Sequence, residues 1–307
     1  QIIIHKPNIN KTESFSLNKF DYTSPRDYFK SGLKVCLDEG LLFSQGFDCT
    51  INSQIPIKAG TSSSSAITVS WIHFLSKIAD NPPHWDNVKI AKLAYRAEVL
   101  EFSEPGGMMD QYSTSIGQLI YLTTRPILKV DILKSSLGAF VLGDSQEPKD
   151  TLSILHRCKK QRLKLLKKCK SVNPKFNISN SNDIDTKLDS YEQELLKGTY
   201  RNRDILVEAL TELLKSEIDH VKIGSLLNEH HQILRDCLKI STPKIEKMIA
   251  ASLNAGALGA KINGSGGGGC MFAYAPENTE GVARAIENCG GKAYIIKLSE
   301  GTQCLVD

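Results

Sequence analysis

The chain of 307 residues has no apolar run near the ~20 residues needed to cross a membrane. Its opening residues do not read as a secretory signal. Its eight cysteines, from Cys36 to Cys304, form no CxxC and no paired spacing. That argues against a zinc site and a disulfide framework, and for reduced thiols in a cytoplasmic protein. The excess of positive charge is small, 38 basic against 34 acidic residues or +4, too little to indicate a nucleic-acid binder. Basic residues crowd only from Arg157 to Lys170, which reads as a solvated helix face. No internal repeat is visible, and no loop ends in the Gly-Lys-Ser/Thr of a P-loop. The first residue is not Met, and the chain opens in strand-like Ile2-Ile3-Ile4, so further residues are expected to precede Gln1.

What is present is an ordinary globular composition, 41% apolar and 23% charged, at a length for one large domain or two smaller ones. Strands are expected at 2–4, 13–20, 47–55, 118–122, 127–133, 139–143, 260–262, 270–275 and 293–298. Helices are expected at 26–39, from 67 onward, 87–100, 149–170, 189–197, 203–216, 219–238, 242–256 and 277–289. On 87–100 the expected core face is Val88, Ala91, Leu93, Ala94 and Leu100. Asn173 to Asp185, rich in Asn, Ser and Asp, reads as a surface loop. Helices packed on a mostly antiparallel sheet give an α+β fold.

The rest is organised around Pro56 to Ala66, PIKAGTSSSSA, between the strand at 47–55 and a helix. A helix start offers unpaired N–H groups and a partial positive charge. Four serines add hydroxyls there, and Gly60 lets backbone approach a ligand. Polyphosphate suits such a turn; the plainer reading is a serine-rich helix cap.

Two further stretches bear on that choice. Glu98 and Asp110 stand twelve residues apart across the Pro105-Gly106-Gly107 turn. Gly264-Ser265-Gly266-Gly267-Gly268-Gly269 separates two strands. Phosphoryl transfer needs a phosphate cradle, a divalent cation on oxygen ligands and a carboxylate near the attacking hydroxyl. Each piece also has a plainer reading: Glu98 solvated on its helix, Asp110 a helix cap, the glycine run a hinge.

PIKAGTSSSSA, GGMMDQ and KINGSGGGGC resemble the second motif, the catalytic-aspartate segment and the third motif of the GHMP kinases. The likeness runs in the family's order from about residue 28 to the end. It implies an N-terminal ATP-binding domain of the ribosomal protein S5 domain 2-like type over 1–134, lacking the first motif. A ferredoxin-like C-terminal domain would cover 135–307. By the resemblance, Pro56, Lys58, Ala59, Gly60, Thr61, Ser62, Ser63, Ser64 and Ser65 wrap the nucleotide phosphates of ATP. Gly264, Ser265, Gly266, Gly267 and Gly268 line the site beside them. Ser64, or else Ser63, would bind Mg2+ together with Glu98, and Asp110 would act on the substrate hydroxyl.

Met109-Asp110-Gln111, Gly143-Asp144-Ser145 and Asn228-Glu229-His230-His231 with Leu234-Arg235-Asp236 are most similar to galactokinases. Thr61 departs from the usual Leu or Met, and His156 stands where a sugar-contacting Tyr is usual. Lys159-Lys160 replace an arginine pair. The resemblance therefore implies a sugar kinase, galactokinase-like, acting as a monomer or homodimer without nucleic-acid or membrane partners. A heptose, arabinose or mevalonate-type acceptor stays open. So does a non-catalytic sugar and nucleotide sensor, though Ser62 to Ser65, Glu98 and Asp110 are all present.

Overall fold

Strand β1 (Ile2–Lys6) is the centre of the first sheet. It pairs antiparallel with β2 (Lys11–Phe15) and parallel with β3 (Phe47–Thr50), giving the order β2-β1-β3. Ile2 and Ile4 alternate into the core, both fully buried. Residues 16–20, expected to extend β2, lie outside it. Residues 51–55 likewise do not continue β3, beyond one hydrogen bond from Ile51 N–H to the His5 carbonyl. The structure is a computed structural model and describes residues 1–56, 60–134, 136–148, 151–179 and 187–305.

The chain divides into two compact units. The first is Gln1–Ile57, Ser62–Ile132 and Ser299–Asp307; the second is Lys58–Thr61 and Leu133–Leu298. In the first, helices α1 (Tyr28–Asp38), α2 (Ser63–Ile78) and α3 (Asn87–Tyr95) share a core with the sheet, and α4 (Met109–Ile116) packs against α2 and α3. Gly40, at φ 89°, ends α1 with its N–H on the Leu37 carbonyl. Trp71 of α2 donates its indole N–H to the Phe29 carbonyl at 2.9 Å. It meets Phe29 edge-on at 5.3 Å and stacks on Phe74 at 5.7 Å. Such aromatic pairs contribute roughly 0.5–1.5 kcal/mol beyond area burial.

The expected helix 87–100 is α3 followed by a π-helical turn, Arg96–Leu100. Ala91, Leu93 and Ala94 are buried as the pattern predicts. Val88 and Leu100 are instead 40% and 55% exposed, because the core stripe here is narrower than the apolar pattern. Strands β4 (Ile120–Thr123) and β5 (Lys129–Ile132) form a separate hairpin. The C-terminal segment returns to this unit: Thr302 N–H donates to the Ser115 carbonyl, and Thr302 Oγ1 meets His73 Nδ1 at 3.0 Å.

The second unit holds an antiparallel sheet ordered β7-β8-β6-β9. Its strands are β6 (Phe140–Asp144), β7 (Gly259–Ile262), β8 (Cys270–Tyr274) and β9 (Lys292–Ile296). Helices α8 (Pro243–Asn254) and α9 (Thr279–Asn288) bring Met248, Val282 and Ile286 onto Val141, Met271 and Ala273. Helices α5 (Thr151–Val172), α6 (Ser190–Leu213) and α7 (His220–Asp236) complete the unit.

Two helices expected at 189–197 and 203–216 are one, α6. Gly198 does not break it. A Cβ there would sit 3.0 Å from Cys237 Sγ and 3.1 Å from Ile233 Cγ2, so glycine lets α6 and α7 approach closely. An Asp189 capping box with Glu192 starts the helix. The loop expected at 173–185 falls partly outside the described residues. Among the described residues no helix is long and apolar enough to cross a membrane.

Candidate active site

Helix α2 begins inside the serine run. Ser62 takes the left-handed conformation, φ 56°, rare for a residue with a side chain. The first helical bond runs from Ala66 N–H to the Ser62 carbonyl at 2.9 Å. The N–H groups of Ser63, Ser64 and Ser65 therefore have no acceptor within the helix, and the helix dipole points its positive end there. Ser62 makes no side-chain capping bond, so the plain cap reading of the serines fails for it. Pro56 and Gly60 to Thr61 are described and partly buried; Lys58 and Ala59 lie outside the described residues.

Glu98 is not solvated. The π turn carries it inward and leaves the carboxylate residue 7% exposed. Such wide turns often sit at functional sites. Gln111 Nε2 donates to Glu98 Oε2 at 2.6 Å and to Ser65 Oγ at 3.3 Å. Gln111 itself is 2% exposed, and its Oε1 has no hydrogen-bond partner. Tyr28, the first residue of α1, is hydrogen-bonded to the Ser64 side chain. Burial pushes the Tyr28 phenol up to about 12; Arg26 opposes this and the Glu98 and Glu104 charges add to it. Arg26, at φ 60°, forks onto Glu104 through Nε at 2.5 Å and Nη2 at 2.9 Å. The Glu104 bonds raise its pKa, with the Glu98 charge acting the same way.

Asp110 is the second residue of α4, directly before Gln111. It is exposed, and its carboxylate has no partner among the described residues. The structure thus gathers Ser64, Ser65 and Glu98 through Tyr28 and Gln111, with Asp110 one residue away in the chain.

A cavity of about 340 Å³ lies against the first turns of α2. Ile67, Trp71 and Phe74 form one wall and Cys49, Asn52 and Ser53 another. Sequence reasoning missed these residues. Trp71 and Phe74 read as ordinary core, and the non-strand course of 51–55 that opens the space has no local signature. It missed the role of Gln111 for a similar reason, since only its burial against Glu98 sets it apart.

In the second unit the glycine run is the β7–β8 hairpin loop. Gly264, Gly266, Gly267, Gly268 and Gly269 all have positive φ, between 65° and 106°. Gly267 N–H donates to the Ile240 carbonyl at 2.6 Å, and Gly269 N–H to the Glu147 carbonyl at 3.4 Å. A Cβ on Gly266 would lie 2.5 Å from Ile240 O, and one on Gly267 would lie 2.0 Å from Ile154 Cδ1. The run is a fixed, closely packed loop rather than a free hinge. Asn263 Nδ2 donates to the Gly60 carbonyl at 2.9 Å, within the second unit. Ser265 Oγ is buried without a partner.

Behind the loop, His231 Nδ1 accepts the Ile262 N–H at 3.3 Å while Nε2 donates to Glu246 Oε1 at 2.8 Å. Ser241 Oγ donates to the same oxygen at 2.5 Å.

The chain is 29% identical over 279 residues to mevalonate kinase of Thermococcus onnurineus, covering 89% of this chain and 73% of that protein. It is 26% identical over 301 residues to galactokinase of Glaesserella parasuis, covering 92% and 76%. The fold matches Lactococcus lactis galactokinase complexed with galactose at a TM-score of 0.81 and 18% identity, over 99% and 84% of the two chains. Residues 27–118 match the GHMP kinases N terminal domain and residues 206–293 the GHMP kinases C terminal family. The class is therefore an ATP-dependent kinase that phosphorylates a small alcohol, on a two-domain α+β fold. The chain belongs to the GHMP kinases.

Proposed function

We propose that the acceptor is a sugar and that the reaction is galactokinase-like. The observation that carries the site assignment is the buried Glu98, held by Gln111 beside the open N–H groups of α2. The purine of ATP is assigned to the cavity against Trp71 and Phe74, where apolar walls meet the amide of Asn52. The phosphates fall at Ser62 to Ser65, where unpaired N–H groups and hydroxyls favour anions. The glycine loop, Gly264 to Gly268, is assigned to nucleotide binding by its resemblance to the family's third motif.

No three His, Cys, Asp or Glu side chains form a metal cage among the described residues. Mg2+ needs none, since it keeps waters and phosphate oxygens as most of its ligands. The buried Glu98 carboxylate and the Ser64 hydroxyl fit such an ion. Ser64 and Glu98 would hold it, and when bound it neutralises charge on the phosphate oxygens.

Asp110 orients the acceptor hydroxyl and takes its proton as that oxygen attacks the γ-phosphorus. One O–P bond forms, the bond to the β-phosphate oxygen breaks, and ADP leaves with that electron pair. Met109-Asp110-Gln111 and the Asn228 to His231 segment support a sugar acceptor by their likeness to galactokinases.

The higher identity to mevalonate kinases, 29% against 26%, supports a second reading with mevalonate as acceptor. The test is ADP release from ATP on addition of galactose, arabinose, heptoses or mevalonate. Release with a sugar and none with mevalonate is expected. Release with mevalonate alone overturns the sugar reading. Tight sugar and nucleotide binding with no release by any acceptor would make the protein a sensor.

A further inference from the structure

We propose that Gln111 is a positioning residue that sets the Glu98 carboxylate for the cation through Nε2 and offers Oε1 to a donor arriving with the ligand. The proposal rests on the reading of Glu98 as the cation's carboxylate. Four observations carry it. Gln111 is almost fully buried, at 2% exposure, where an amide needs partners. Its Nε2 reaches two residues of the candidate site, Glu98 Oε2 at 2.6 Å and Ser65 Oγ at 3.3 Å. An ionised carboxylate only accepts hydrogen bonds, so the amide's N–H2 end must face Glu98 and its oxygen must face away. That oxygen is buried with no partner, an acceptor left open beside the site.

Chain geometry explains why this residue can do it. Glu98 comes from the π turn after α3, Ser65 from the first turn of α2 and Gln111 from the first turn of α4. One side chain therefore ties together the three elements that carry the serine turn, the buried carboxylate and Asp110. A free glutamate side chain has several rotamers, whereas the short charge-assisted bond to Gln111 selects one. Partners that orient a ligating carboxylate are worth about 10–100-fold in metal affinity.

The experiment is a Mn2+ titration in the presence of ADP, followed by the electron paramagnetic resonance of free Mn2+, with no acceptor present. Four proteins are compared: the parent, Gln111→Met, Glu98→Gln and the double variant. Gln111→Met keeps the unbranched shape and removes both polar atoms. It is expected to weaken Mn2+ binding by about 10–100-fold. Because Gln111 acts through Glu98, the double variant should bind Mn2+ no more weakly than Glu98→Gln alone. Should Gln111→Met not fold, Gln111→Asn, which keeps the amide but falls short of Glu98, takes its place with the same expected loss.

A Gln111→Met value within threefold of the parent overturns the proposal while leaving Glu98 as a ligand. So does a double variant in which the two losses multiply. A Glu98→Gln variant that binds Mn2+ like the parent removes the underlying reading instead.

Discussion

Replacing Gly266 by alanine tests whether the glycine loop is built by its packing. Gly266 has φ +77°, and a Cβ there would lie 2.5 Å from Ile240 O and 2.6 Å from Ile240 Cβ. The left-handed conformation costs a residue with a side chain about 1–2 kcal/mol. Ordinary contact begins at 3.4 Å, so the loop or the Ile240 backbone must move by about 0.9 Å, the difference from 2.5 Å. That shift breaks the bond from Gly267 N–H to the Ile240 carbonyl, worth about 1 kcal/mol. The expected loss is about 2–3 kcal/mol in urea unfolding of the second unit. Gly290 provides the control. Its φ is also +77°, but a Cβ there meets nothing within 4 Å. Gly290→Ala should therefore lose only the dihedral part, about 1–2 kcal/mol. Well below the unfolding midpoint, Gly266→Ala should also bind ADP at least about tenfold more weakly, since fixed backbone N–H groups are what the loop offers phosphate. Equal stability losses in the two variants would refute the packing argument. Unchanged ADP affinity in Gly266→Ala would refute the proposed part of this loop in nucleotide binding.

Asp110→Asn should keep ATP binding and lose about 10²–10⁴-fold in turnover, measured by ADP release; near-normal turnover removes Asp110 as the base. Ser70→Phe, which projects a ring into the cavity beside Trp71, should weaken ATP binding at least about tenfold with little change in stability. Equal affinity would place the purine elsewhere. Gly32→Ala in α1 sets a Cβ 2.6 Å from Trp71 Cδ1 and should destabilise the first unit by about 1–3 kcal/mol, read by urea unfolding.

Acid should weaken the second unit before its carboxylates titrate. Burial, then the Lys261 and His231 charges, push His230 down to about 4 from 6.5. Between those values the unfolded chain binds a proton that the folded chain refuses, so stability falls as pH falls through that window. At about 1.36 kcal/mol per pH unit, the loss from this group by pH 5 is at most about 2 kcal/mol. His231, also lowered by burial, acts in the same direction. His230→Gln should flatten the urea-unfolding stability between pH 6.5 and 5; an unchanged slope would assign the acid sensitivity elsewhere.

The local features were legible because local forces set them. Short apolar runs marked β1, β6 and β8, and helical spacing marked α1, α7 and α8. Gly40 ended a helix by a rule that operates within a few residues. The serine turn and the glycine run were visible for the same reason: both depend on small residues in consecutive positions.

Other features had no local cause. Gly198 stands inside a continuous helix because α7 packs against it, so a residue that usually breaks helices does not break this one. Val88 and Leu100 follow the apolar pattern yet face outward, since the core reaches only part of that stripe. Glu98 looked like any helical glutamate until the π turn and Gln111 buried it. Sequence alone determined where small side chains and glycine backbone gather, because these are chemical facts of composition. Tertiary structure alone decided which carboxylate is withdrawn from water and which indole walls a cavity. Desolvation and enclosure are properties of neighbours distant in the chain.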